Sequence, residues 1–166
     1  MTEPGGVVRG PADLAPLLAI AERLVGAPCW NAAFSYGDEL YLDLGGRRAY
    51  RAGPMAGRQY GEWQLYTRGS RWRLVDGDGI ELATDERERS DSEPALRAIV
   101  GAPVALVSID QPDLDLLVEF DNGCRLHVRC AADEDDLECW SLVAPEGQVL
   151  DARPGGSWSV GPYETT

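Results

Sequence analysis

His127 is the one imidazole of the chain, and it stands midway between two thiols in Cys124-Arg125-Leu126-His127-Val128-Arg129-Cys130. Cysteine and histidine are zinc ligands, and a thiol next to an imidazole is the pair that makes a thiolate nucleophile. The spacing favours neither use. The string reads as a β-strand, whose side chains point alternately to opposite faces. Cys124, Leu126, Val128 and Cys130 then share one face, and Arg125, His127 and Arg129 the other. Sulfurs at the two ends of such a strand lie ~20 Å apart at ~3.3 Å per residue, whereas zinc holds its ligands at about 2.0–2.3 Å. No metal and no cofactor is expected. The cysteines, including Cys29 and a strand-borne Cys139 beside Trp140, read as small buried residues. The start Met-Thr-Glu-Pro-Gly-Gly lacks a basic segment followed by an apolar one, so a cytoplasmic, reducing location with free thiols is expected.

Charge is the second source of chemistry. All 15 basic residues are arginine, which suggests a GC-rich bacterial genome, and 28 acids bring the net charge to −13. Residues 1–83 hold nine arginines and ten acids, whereas residues 84–166 hold six arginines and 18 acids. A lobe this acidic repels nucleic acid and anionic membranes and attracts basic proteins. Its densest stretch carries Asp133, Glu134, Asp135, Asp136 and Glu138, a solvated loop or a contact edge for a basic partner. It has neither the alternating oxygen ligands nor the mid-loop glycine of a calcium loop. Asp76-Gly77-Asp78-Gly79 is too short for one and reads as a turn.

Against this background one arginine cluster stands out. If Gly69-Ser70 is the two-residue loop of a hairpin, Thr67 opposes Trp72 and Leu65 opposes Leu74 on a core face shared with Trp63. The other face then sets Arg68 opposite Arg71 and Tyr66 opposite Arg73. Like charges in register repel by up to about 1 kcal/mol. The acidic second half, an anionic ligand at Tyr66, Arg68, Arg71, Arg73 and His127, or a Tyr66–Arg73 cation–π contact could compensate. Asp113 and Asp115 share a strand face in this reading and resemble an acid–base pair, as many exposed strands do. No phosphate-binding glycine loop, dinucleotide fingerprint or Gly-x-Ser-x-Gly elbow is present.

The elements that must carry these groups come in two similar sets. Leu24-Val25-Gly26-Ala27-Pro28 recurs as Ile99-Val100-Gly101-Ala102-Pro103. The Leu40–Gly46 stretch parallels Leu116–Gly123, Trp72–Gly79 parallels Trp140–Gly147, and Leu82 matches Leu150. The order predicts a single domain of two pseudo-repeats, about 11–83 and 92–160, joined by a linker over 84–91, with an insertion in the first around 53–71. Leu14, Leu17, Leu18, Ala21, Leu24 and Val25 follow helical spacing after an N-cap at Asp13, and a second helix starts from Ser92. Eight to ten short strands account for the rest. The expected fold class is α+β: two tandem helix-plus-antiparallel-meander repeats, with two helices packed on antiparallel sheet.

The stretch Gly61-Glu62-Trp63-Gln64-Leu65-Tyr66, followed by Trp72-Arg73-Leu74 and closed by Trp140-Ser141-Leu142 and Pro145-Glu146-Gly147, resembles a family of uncharacterised bacterial proteins. The resemblance covers most of the chain and implies a fold and a bacterial origin, not a reaction. Gln64 stands where the family carries histidine, and Thr67-Arg68-Gly69-Ser70 where it carries cysteines and an acid, so a metal or thiol role does not transfer.

The residues therefore point to a non-enzymatic acidic binding protein, of the kind that neutralises a basic toxin, with Asp133, Glu134, Asp135, Asp136 and Glu138 as its contact edge. The alternative is a small-molecule domain, binding or enzymatic, holding an anionic ligand between the repeats at Tyr66, Arg68, Arg71, Arg73 and His127. Self-association through a sheet edge is a third course.

Overall fold

A computed structural model describes residues 11–35, 39–68, 71–130 and 139–162. Helix α1 (Pro11–Ala21) and the 3-10 turn Glu22–Leu24 bury Leu14, Leu17, Ala21 and Leu24 on one side. The chain leaves this helix at Gly26, whose φ of 94° lies in the left-handed region that glycine enters without steric cost. Helix α2 (Arg89–Ala95) and the turn Leu96–Ile99 end in the same way at Gly101, φ 91°. This helix begins earlier than expected, within the anticipated linker, and Glu88 rather than Ser92 precedes it. The Ser92 hydroxyl is buried and committed elsewhere: it accepts from the Thr84 N–H at 3.2 Å and donates to the Thr84 carbonyl at 3.1 Å.

The rest is antiparallel sheet. Strands β1 (Cys29–Phe34), β2 (Leu40–Ala49) and β3 (Gln59–Thr67) form a meander, β4 (Arg71–Val75) and β5 (Glu81–Thr84) a hairpin. After α2 come the meander β6 (Val104–Asp110), β7 (Asp115–Phe120) and β8 (Arg125–Arg129), then β9 (Trp140–Val143), β10 (Gln148–Arg153) and β11 (Ser157–Pro162). A six-stranded sheet has the order β1-β2-β3-β9-β10-β11 and a five-stranded sheet the order β5-β4-β8-β7-β6. The fold is α+β. Neither half keeps its later strands beside its own meander: β4 pairs with β8, and β9 with β3.

The expected β3–β4 hairpin is therefore not formed. Leu65 faces Leu142 and Thr67 faces Trp140, while Trp72 faces Val128 and Leu74 faces Leu126. The inward faces nevertheless follow the alternation, because a side chain's face depends on its own strand and not on the neighbour. Trp63, Leu65, Thr67, Trp72, Leu74, Trp140 and Leu142 are all buried, and the apolar ones join a single core between the sheets. Phe34 of β1 meets Trp72 of β4 across that core, with ring centroids 5.6 Å apart. The Trp140 indole N–H donates to the Leu114 carbonyl at 2.9 Å, so its polar atom is satisfied in the interior.

The two meanders also meet directly at a Pro28–Pro103 bridge. Gly26 N–H donates to the Val104 carbonyl at 2.7 Å and Gly101 N–H to the Cys29 carbonyl at 2.6 Å. Cys29 N–H donates to Ala102 at 3.0 Å and Val104 N–H to Ala27 at 2.9 Å. Among the described residues no helix is long and apolar enough to cross a membrane.

On the opposite face of β2 lies a carboxylate that composition did not single out. Asp43 is 2% exposed and accepts from Gly61 N–H at 2.7 Å, Asn31 Nδ2 at 2.9 Å and the Tyr41 hydroxyl. Gln64 in turn donates to the Tyr41 oxygen at 2.9 Å. Burying a charge is tolerable when its oxygens are saturated in this way. Gly61 permits the close approach of β3 to the Asp43 backbone, since a Cβ there would sit 2.4 Å from the Trp63 carbonyl oxygen, 2.7 Å from the Leu44 nitrogen and 2.9 Å from the Asp43 Cα. Gly61→Ala should cost about 3 kcal/mol, the upper end of overpacking penalties, in urea unfolding. Gly79→Ala, in a turn where no atom lies within 4 Å of the new Cβ, should cost only the ~1 kcal/mol of a left-handed alanine. Equal costs would contradict the Asp43–Gly61 account.

Candidate anion site

Beside β4 and β8 the outer face of the five-stranded sheet carries a cavity of about 540 Å³, lined by Arg71, Trp72, Arg73, Glu81, Thr84, Asp85, Glu86, His127 and Arg129. Burying Trp72 and Leu74 inward turns Arg71 and Arg73 outward, and burying Leu126 and Val128 turns out Arg125, His127 and Arg129. Register then sets Arg71 opposite Arg129 and Arg73 opposite His127.

Three of the five anticipated anion-site residues, Arg71, Arg73 and His127, are brought together here. Tyr66 is not among them: it lies in the other sheet, paired with Tyr41 and Ser141, its ring 5.0 Å from that of Tyr41. Arg68 follows β3 and its backbone N–H donates to the Cys139 carbonyl at 3.1 Å. Both were expected beside Arg73 on the strength of the β3–β4 hairpin, and both left with β3 when that pairing failed. Arg129 takes the place of Arg68. Its alternation with His127 was the signal that could have found it.

The carboxylates on the rim are engaged. Glu86 pairs with Arg71, and Glu81 with Arg87 at 3.2 Å. Asp85 accepts from the Trp72 N–H at 2.9 Å. Among the described residues Arg73, Arg125 and Arg129 form no ion pair. His127 is held below the ordinary imidazole range by partial burial first and by the nearby Arg73 and Arg125 guanidiniums second. At neutral pH it is an uncharged ring between cations.

Other candidate groups are used structurally. Asp115 does not face Asp113 as an acid–base partner. Its carboxylate accepts from Cys130 N–H at 2.7 Å, and Asp113 lies in the turn before β7. Asp76 accepts from the Asp78 and Ile80 N–H groups at 2.9 and 3.0 Å, closing its own turn. Burial pushes the Cys29 thiol up to about 12 and raises that of Cys124, so neither is a ready thiolate. The expectation of four free thiols is corrected: Cys130 and Cys139 form a disulfide, with Cα atoms 5.1 Å apart, that joins the end of β8 to the start of β9. Alternation along one strand separates Cys130 from Cys124 but says nothing of Cys139, nine residues further on. Asp133, Glu134, Asp135, Asp136 and Glu138 lie outside the described residues.

Compared with known proteins, the chain matches no family model, no curated protein and no solved structure.

Because the folded His127 binds its proton less readily than the unfolded chain, acid favours unfolding. Stability contributed by keeping the ring neutral is present above the ordinary value of about 6.5 and fades as pH falls below it. Melting temperatures taken from about pH 8 to 5 should drop less in His127→Gln than in the wild type. Parallel curves would contradict the assignment.

Proposed function

We propose that the chain is a binding protein for an anionic small molecule, held on the outer face of the five-stranded sheet by Arg73, Arg129 and His127. The observation that carries this reading is how the charges at the cavity are paired, since its three arginines and three acids balance in number. Two guanidiniums flank an imidazole without a paired carboxylate, while each acid on the rim is occupied by another partner. In a chain of net charge −13, acids to neutralise them are plentiful, and they are not used. Guanidinium groups suit such a role because their planar forks take oxyanions in bidentate fashion.

The reading also rests on the chain being two copies of one unit, about 11–83 and 92–160. The reciprocal hydrogen bonds around Pro28 and Pro103 support this, as do the matching environments of Trp72 opposite Val128 and Trp140 opposite Thr67. So does the sheet order, in which each meander receives strands from the other half, three in one sheet and two in the other. The cavity then lies on a seam, with Arg71 and Arg73 from one copy and His127 and Arg129 from the other. Such seams are common ligand sites.

A second reading is an acidic partner for a basic protein, an immunity-type protein with Asp133, Glu134, Asp135, Asp136 and Glu138 as its contact edge. The Cys130–Cys139 bond favours it, because a covalently closed acidic excursion loses less entropy on binding.

One thermal-shift series separates the two. For the anion site, phosphate, sulfate and carboxylates at millimolar concentration should raise the melting temperature of the wild type by several degrees, and Arg73→Ala should lose that response while remaining folded. No response to anions, with stabilisation by a basic protein that fades in salt, supports the acidic-partner reading instead.

A further inference from the structure

The geometry of the quartet says more than its charge. Alternate residues of a strand are about 6.6 Å apart and neighbouring strands about 4.8 Å. Arg71, Arg73, His127 and Arg129 therefore rise from the corners of a rectangle of about that size. Long guanidinium arms on such a base can converge on one group. Arg71 is already engaged with Glu86, which leaves three donor groups on this face of the cavity: Arg73, Arg129 and the imidazole. A carboxylate offers two oxygens in one plane and suits a single fork. A tetrahedral oxyanion presents its oxygens in several directions and can meet donors from three corners at once. The cavity, at about 540 Å³, also holds far more than the anionic head alone.

The charges around His127 specify the protonation that goes with such a ligand. From β4 it faces Arg73, with Arg71 beyond, and along β8 it is flanked by Arg125 and Arg129. On β7 its partner is Leu117, with Glu119 opposite Arg125 and Asp115 accepting from Cys130 N–H. Across β4 lie Glu81, Asp85 and Glu86, each already committed. Partial burial first, and the nearby Arg73 and Arg125 guanidiniums second, hold the ring neutral. A dianion between Arg73 and Arg129 reverses that local balance, and an imidazolium then supplies a further N–H to a ligand oxygen.

Resting on the anion-site reading, we infer that the ligand is a tetrahedral dianion, as phosphate or a phosphomonoester presents, taken up together with one proton from solvent that settles on His127. No covalent bond forms or breaks. Affinity accordingly rises as pH falls through the range where the imidazole titrates, as long as the ligand stays doubly charged.

A single histidine makes the test direct, because the imidazole region of an NMR spectrum contains one residue's signals. Sulfate is the main probe, since it remains a dianion throughout. Inorganic phosphate and ribose 5-phosphate serve as the free and esterified forms, and acetate as the planar control. Saturating sulfate should raise the His127 titration midpoint by about one pH unit. The same linkage makes sulfate bind about tenfold more tightly to the protonated form. Calorimetry near pH 7 in two buffers of different ionisation enthalpy should register proton uptake that disappears in His127→Gln. Should that variant misfold, the wild-type midpoint decides the question alone.

Sulfate binding with an unmoved midpoint, or acetate binding as tightly, overturns this inference and leaves the anion site standing. Absence of binding by any of these anions overturns both. Ribose 5-phosphate binding at least as tightly as inorganic phosphate supports an ester as the source, and rejection of the ester assigns the site to the free anion.

Discussion

Everything in this molecule depends on an exchange of strands between its two halves. A three-stranded meander leaves an apolar face and unpaired strand edges that must be covered or paired. Here the edge of β3 is closed by β9 and the edge of β8 by β4, so each sheet is completed by strands that come from the other half. The exchange also delivers the largest buried side chains. Trp72 and Trp140, 2% and 0% exposed, arrive on the incoming strands. Removing either ring leaves a void of a kind that costs about 3–5 kcal/mol.

The same exchange makes the two outer faces different. Between the core pairs Trp72–Val128 and Leu74–Leu126 lies the outward pair Arg73–His127. Between Thr67–Trp140 and Leu65–Leu142 lies Tyr66–Ser141. The second pair is absorbed by its own sheet: the Tyr66 ring packs at a tilt against Tyr41, and the Ser141 hydroxyl donates to Asp151 at 2.5 Å. The first is not, and it is flanked by further arginines. One sheet thus carries a polar surface bonded within itself, and the other a face where Arg73 and Arg129 form no ion pair among the described residues. Local charge decides here despite the net charge of −13, since at physiological salt charges beyond about 8 Å are largely screened.

What the sequence disclosed follows from which signals are local. Alternation assigned Trp63, Leu65, Thr67, Trp72, Leu74 and Trp140 to the interior, because burial of a strand residue is a property of its own strand. Helix ends at Gly26 and Gly101 were equally legible, each having a left-handed glycine and a proline two residues on. Pairing was not. Gly69-Ser70 between two β-rich runs has the chemistry of a hairpin turn, and nothing local distinguishes a chain that folds back beside itself from one that crosses to another sheet. Tyr66 and Arg68 were assigned to the site on that false neighbour. Asp43 went unnoticed because its partners Asn31, Tyr41 and Gly61 come from three strands, and only Gly61 hinted at a close approach. The disulfide was missed because the proximity of Cys130 and Cys139, nine residues apart, is a tertiary fact.

The exchange can be observed directly through the neighbours of β4. In a nuclear Overhauser spectrum of the labelled protein, backbone contacts should connect Arg73 with His127 and Tyr66 with Ser141, in antiparallel register. Contacts between Arg73 and Tyr66 would mean that β4 folds back on β3. The seam between the halves, and the cationic site built on it, would then not exist.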